Sequence, residues 1–130
     1  MVKLRNPFKG LFKKKSDPVS ELSPNLARFK KDFNNQIGRL IEEINKQNIN
    51  EDVKSKKIES LESCRNTVTG FYDSLATSLI KLNLSMIVKL IGQAQDCEDI
   101  LEVNRFLTEK NRIKKIREIL EKKQNEYMNR

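Results

Sequence analysis

Residues 23–44 read SPNLARFKKDFNNQIGRLIEEI and carry an apolar residue at almost every third or fourth position. This spacing places the apolar side chains on one face of an α-helix and the charged side chains on the other. Ser23 is predicted to cap a helix and Pro24 to occupy its first position. The segment therefore predicts a long amphipathic helix that packs against a partner through Leu26, Phe29, Phe33, Ile37, Leu40, Ile41 and Ile44.

A second long helix is indicated by an apolar repeat of seven residues, the spacing of a seam between two long helices. Asn50 followed by Glu51 and Asp52 predicts its start, because Asn caps helices and acids favour the first turn. Gly70 lies inside the repeat and predicts either a close approach of a neighbouring backbone, which we favour, or a bend of the helix. The seam positions are Leu61, Cys64, Val68, Phe71, Leu75 and Leu82.

Two further helices are predicted in the second half of the chain. Residues 86–91 are apolar on nearly all sides, which predicts a short helix in the centre of the core that Gly92 ends. The acidic residues at 96, 98 and 99 predict the first turn of a last long helix. The apolar positions of that helix are Ile100, Val103, Leu107, Ile113, Ile116, Leu120 and Tyr127.

The predicted fold class is therefore all-α: a small bundle of three long helices and one short core helix in residues 23–130, after a flexible basic tail in residues 1–22. The composition supports one domain, because 37% of the 130 residues are hydrophobic and 34% are charged. Only four Gly and three Pro are present, too few for the many turns of a sandwich or barrel.

Catalysis has little support in the residue types present. The chain has no His, the commonest general base and metal ligand, and its two cysteines, Cys64 and Cys97, lie far apart in sequence. We expect both thiols to be buried and unreactive. We also expect no catalytic residue, no metal site, no cofactor and no small-molecule substrate, so that the protein is not an enzyme.

The net charge of +8 is concentrated at the start, where residues 1–31 carry nine Lys and Arg against Asp17 and Glu21. A short helix from Pro7 would place rings and leucines on one face and cations around it, a pattern typical of an anionic membrane surface. The predicted membrane-binding residues are Lys3, Leu4, Arg5, Phe8, Lys9, Leu11, Phe12, Lys13, Lys14 and Lys15. Alternatively, the two rings dock on the core of this protein or on a partner protein.

A second basic stretch lies near the other end of the sequence and could follow a phosphate backbone. Its candidate anion-binding residues are Lys110, Arg112, Lys114, Lys115, Arg117, Lys122 and Lys123. Glu109, Glu118 and Glu121 interleave with them, which favours a solvated helix face stabilised by ion pairs.

The functional prediction is a non-enzymatic protein that attaches peripherally to the cytoplasmic face of a membrane. Its predicted partners are an anionic lipid surface and either another protein or a second copy of the chain. The opening residues lack the apolar run of a secretory signal, so we do not expect secretion. The alternatives are a small nucleic-acid-binding accessory subunit that uses the tail and the last helix, and a helical adaptor whose tail is a docking peptide.

Overall fold

The computed structural model describes residues 20–129, which form a short 3-10 turn, Ser20–Leu22, and four α-helices. The helices are α1 (Ser23–Lys46), α2 (Glu51–Ser78), α3 (Leu84–Val103) and α4 (Leu107–Met128). No strand occurs among the described residues, and the all-α prediction is confirmed for this part of the chain.

Consecutive helices are antiparallel and pack against one another. Lys30 Nζ of α1 lies 2.7 Å from Asp73 Oδ1 of α2, near the start of one helix and the end of the other. On α4, Lys110 pairs with Glu102 of α3 and Arg117 pairs with Glu98, so these two helices are also antiparallel. The start of α1, the end of α2, the start of α3 and the end of α4 therefore meet at one end of the bundle.

The core contains most of the residues that the apolar patterns predicted, although Met86 and Val88, which were expected at its centre, are 37% and 51% exposed. Phe33, Ile37, Leu75 and Leu90 are at most 2% exposed. Phe33 meets Phe106 edge to face, with ring centroids 5.7 Å apart, and so joins α1 to the α3–α4 turn. The other fully buried apolar residues include Val68, Phe71, Ile87, Ala94, Leu101, Ile113 and Leu120.

The prediction of a short core helix ending at Gly92 is wrong. Helix α3 is 20 residues long, continues through Gly92 and ends at Val103. It ends in a Schellman motif, in which the Phe106 N–H donates to the Leu101 carbonyl at 2.8 Å and the Arg105 N–H donates to the Glu102 carbonyl at 3.0 Å. Arg105 takes the left-handed conformation (φ 62°) that glycine fills in most such motifs. The described bundle thus has four long helices.

This break also changes the last helix, which begins at Leu107 and not near residue 96. Val103 and Leu107 flank the break and are 80% and 56% exposed, so the apolar repeat predicted across it does not form one continuous buried face. The later positions of the repeat, Ile113, Ile116 and Leu120, are buried as predicted.

Helix starts and the glycine of α2 give mixed outcomes. Asn50 caps α2, since its Oδ1 accepts from the Asp52 N–H at 2.7 Å, as predicted. Ser23 is instead the first residue of α1, after Leu22 in the cap position with no side-chain cap. The close approach predicted at Gly70 is wrong, because Gly70 is exposed and a Cβ added there would meet no atom within 4 Å.

Candidate functional site

The predicted membrane-binding residues of the tail lie outside the described residues, which begin at Ser20. The structure does locate the point at which the tail joins the bundle. Leu22 packs against the core in the turn before α1. Lys30 and Asp73 form the ion pair that fixes the register of α1 and α2. Leu22 is eight positions before Lys30, and Ile80 is seven positions after Asp73. At about 1.5 Å per helical residue, Leu22 and Ile80 lie at similar heights in the antiparallel pair.

We call this end of the bundle the proximal pole and define it by Leu22, Leu79, Ile80, Leu82, Leu84 and Tyr127. Leu22, Leu79, Leu82 and Tyr127 pack against the core and close it at this end. The Tyr127 hydroxyl donates to the Leu82 carbonyl at 3.4 Å, which places the last turn of α4 beside the α2–α3 turn.

Large apolar side chains remain exposed at the proximal pole. Ile80 is 86% exposed, the highest value among the large hydrophobic residues described. On α3, Leu84 and Val88 lie one turn apart and are 38% and 51% exposed. Met128, in the last turn of α4, is 64% exposed. Single exposed apolar residues are normal on protein surfaces, but several at one end of a bundle are typical of an interaction surface.

The charges beside this apolar surface are of one sign in the α2–α3 turn and the helical turns next to it. Residues 74–95 contain no Asp or Glu and two lysines, Lys81 and Lys89, both exposed. The next part of the chain is the reverse, since residues 96–109 contain five carboxylates and only Arg105 as a cation. Thus the outer surface of α3 is apolar and basic near the proximal pole and acidic toward the other end.

Most of the basic residues predicted to bind anions on α4 are engaged in ion pairs. Arg117 holds both carboxylate oxygens of the buried Glu98, at 2.5 and 3.1 Å, and Glu121 at 3.0 Å. The hydrogen bond from Glu98 raises the pKa of Arg117 above its ordinary value. The other pairs are Lys110 with Glu102, Arg112 with Glu109 and Lys123 with Glu126.

The remaining three predicted residues, Lys114, Lys115 and Lys122, are exposed. None of them has a carboxylate within 4.0 Å in residues 20–129. Three lysines along one helix face offer fewer cations than the seven that the sequence suggested for phosphate contacts. Proteins that bind single-stranded nucleic acid commonly stack its bases on exposed aromatic rings. The two aromatic residues near this face, Phe106 and Tyr127, pack against the core instead.

A buried polar cluster joins three helices, and the sequence did not reveal it. The hydroxyl of Tyr72 donates to Glu109 Oε2 at 2.5 Å, and both residues are nearly inaccessible to solvent. Arg112 Nη1 lies 3.3 Å from Glu109 Oε1, and the guanidinium stacks 4.4 Å from the Phe29 ring centroid. Burial raises the pKa of Glu109. The contacts hold α1, α2 and α4 together, so we assign the cluster a structural role.

Neither cysteine offers a reactive thiol. Cys64 and Cys97 are free and fully buried, as expected. Burial raises the pKa of Cys64 to about 11 and that of Cys97 to about 12, which disfavours the nucleophilic thiolate at neutral pH. Within residues 20–129, no three His, Cys, Asp or Glu side chains come together as a metal site would require.

A shallow groove between α2 and α3 is the other surface feature of note. It is lined by Asp73, Ser74, Met86, Lys89 and Gln93 among others. The buried Gln93 Oε1 in its wall has no hydrogen-bond donor. The groove mixes one acid, one base and neutral polar groups, which does not single out a ligand class.

No helix in the described part of the chain has the length and hydropathy needed to cross a bilayer. Comparisons with protein-family models, with curated proteins and with solved structures find no match to this chain.

Proposed function

We propose that this protein is a non-enzymatic peripheral protein that attaches to an anionic, cytoplasmic membrane surface through its N-terminal tail. In this role the bundle presents its remaining surface to a protein partner or to a second copy of the chain. The tail residues Phe8, Leu11 and Phe12 enter the headgroup region, and Lys13, Lys14 and Lys15 bind the anionic headgroups.

The observation that supports the proposal is that the tail joins the bundle at the pole where apolar side chains are exposed and where residues 74–95, the α2–α3 turn and its flanks, contain no carboxylate. A tail anchored in a bilayer brings this end of the bundle close to the lipid headgroups. Two exposed carboxylates do lie at this pole, Glu21 beside Leu22 and Glu126 beside Tyr127, and Glu126 pairs with Lys123. The α2–α3 turn and its flanks present only Lys81 and Lys89, which gain from anionic lipid, so this side of the proximal pole is the part suited to face the bilayer.

Attachment of this kind requires two weak contributions acting together. One short apolar segment gives marginal, reversible binding, and nearby cations each add about 1 kcal/mol at an anionic surface. The tail supplies both kinds of residue within 15 positions. Raised salt should therefore weaken binding by screening the lysines, without abolishing the apolar contribution.

The test measures binding of the full chain to three targets in parallel: phosphatidylcholine vesicles, vesicles that also contain phosphatidylserine, and a single-stranded polynucleotide. We expect co-sedimentation with the anionic vesicles that persists in part at high salt. Polynucleotide binding with a steep salt dependence, and no vesicle binding, would favour the nucleic-acid alternative. Binding to none of the three would refute the proposal and favour a tail that docks on protein.

A further inference from the structure

We infer that the α2–α3 turn is a second membrane contact, in which Ile80 inserts among the headgroups and Lys81 binds anionic lipid. This inference rests on the proposed function and adds a residue-level contact to it. The two contacts together, tail and turn, orient the bundle with its proximal pole toward the bilayer.

The conformation of the α2–α3 turn directs Ile80 into solvent. The Ile80 N–H donates to the Thr77 carbonyl at 3.4 Å and the Lys81 N–H to the Ser78 carbonyl at 3.1 Å. Leu79 and Leu82, on either side, pack against the core and fasten the turn to the bundle. Ile80 therefore stays 86% exposed on a fixed backbone, where its insertion costs little ordering entropy.

The surface next to Ile80 combines exposed apolar residues with lysines. Ile80 is followed by Lys81, and the next turns of chain expose Leu84 and Val88 with Lys89 beside them. No ion pair engages Lys81 or Lys89 among the described residues, so both ammonium groups can bind headgroup phosphates. An anionic bilayer uses both features, because its headgroups bind the lysines and its apolar boundary receives the Ile80 side chain. An acid-rich groove on a protein would bind the lysines only.

The α2–α3 turn lies at the same end of the bundle as the junction with the tail. The tail, residues 1–22, carries six Lys and Arg and two acids, Asp17 and Glu21, and it enters the bundle at the height of Ile80. A bilayer that holds the tail thus lies within reach of the turn. In this orientation Val103 and Leu107, exposed at the opposite end, point away from the membrane and remain free for a partner.

The absence of Trp from the chain allows a direct test in the full-length protein. Ile80→Trp and Val103→Trp each introduce a single Trp reporter at highly exposed apolar positions, 86% and 80%, at opposite ends of the bundle. On addition of phosphatidylserine-containing vesicles, we expect the emission of Trp at position 80 to shift to shorter wavelength and to be quenched by brominated lipid. The reporter at position 103 should show neither change.

A second pair of variants measures affinity. Ile80→Ser should weaken vesicle binding about tenfold, as expected for partial withdrawal of one Ile from water, whereas Val103→Ser should bind as the parent does. Far-ultraviolet circular dichroism checks that both variants are folded. If vesicles bind the protein but the reporter at position 80 is unchanged and Ile80→Ser binds normally, the inference fails while the proposed function stands. If the parent ignores the vesicles, the proposed function itself fails.

Discussion

Replacing Tyr72 with Phe removes one hydroxyl from the buried polar cluster and should destabilise the fold by about 2 kcal/mol. The Tyr72 hydroxyl donates to Glu109 Oε2 at 2.5 Å, and the two residues are 1% and 5% exposed. Although Arg112 Nη1 is close enough for an ion pair, it makes no hydrogen bond. Tyr72 is thus the side chain that donates to this carboxylate, and hydrogen bonds to charged groups contribute about 1.5–3 kcal/mol.

Urea unfolding followed by far-ultraviolet circular dichroism measures the loss. With a denaturant slope of about 2 kcal/mol per molar, the midpoint should fall by about 1 M. Tyr127→Phe is the matched control, because Tyr127 is the one other tyrosine and its hydroxyl makes a longer bond of 3.4 Å to the Leu82 carbonyl. A Tyr72→Phe variant within about 0.5 kcal/mol of the parent would show that the hydrogen bond is not the stabilising contact.

A double-mutant cycle with Glu109→Gln assigns the energy to the pair. If the hydroxyl and the carboxylate act through each other, the effects of Tyr72→Phe and Glu109→Gln should be non-additive by about 1–2 kcal/mol. Additive effects would mean that each residue contributes through other contacts, such as the aromatic contact of Tyr72 with Phe29.

Three further predictions concern stability and reactivity. Leu75→Ala, at a fully buried position, should lower the free energy of unfolding by about 2–5 kcal/mol, and a loss below about 0.5 kcal/mol would show that the seam is not a packed core. Burial raises the pKa of Glu109, so its contribution to stability is present below the ordinary carboxyl pKa of 4.5 and declines as pH rises through the raised value. The urea midpoint of the parent should therefore fall over that pH range relative to the midpoint of Glu109→Gln. Parallel pH profiles of the two proteins would contradict this. Cys64 and Cys97 should react with a maleimide only after unfolding, and replacing both with Ala should leave vesicle binding unchanged; rapid labelling of the native protein would overturn their burial.

The helices with strong apolar repeats could be predicted from sequence because burial of one face decides their structure. In α1 the stripe through Phe33 and Ile37 is buried as the spacing requires. The cap of α2 was also predictable, since Asn50 and the acids after it form a local signal that does not depend on tertiary contacts.

The boundary between α3 and α4 was missed, because the signal at the true end is weaker than the false one at Gly92. Helix ends are read from Gly or Asn, and Asn104 does follow the last residue of α3, but the left-handed conformation is that of Arg105 and Gly92 remains helical. The two backbone hydrogen bonds of the motif and the tertiary contact of Phe106 with Phe33 stabilise a conformation that Arg rarely adopts alone.

The candidate site was predictable only in part. The basic residues of α4 were identified by type, but their carboxylate partners on α3 come from the antiparallel pairing of the two helices. The exposure of Ile80 was hidden for a similar reason: Leu79, Ile80 and Leu82 are equally apolar in sequence, and the turn geometry alone decides which of them faces solvent.

Flotation of two tail variants with phosphatidylserine-containing vesicles separates lipid insertion from simple charge binding. The combined Phe8→Ser, Leu11→Ser and Phe12→Ser variant keeps every cation, whereas Lys13→Gln, Lys14→Gln and Lys15→Gln keeps every apolar residue. Three side chains partly withdrawn from water contribute on the order of 2–4 kcal/mol, so the Ser variant should bind at least about thirtyfold more weakly than the parent. The Gln variant should lose affinity mainly at low salt. A Ser variant that floats as the parent does would contradict membrane attachment through the tail.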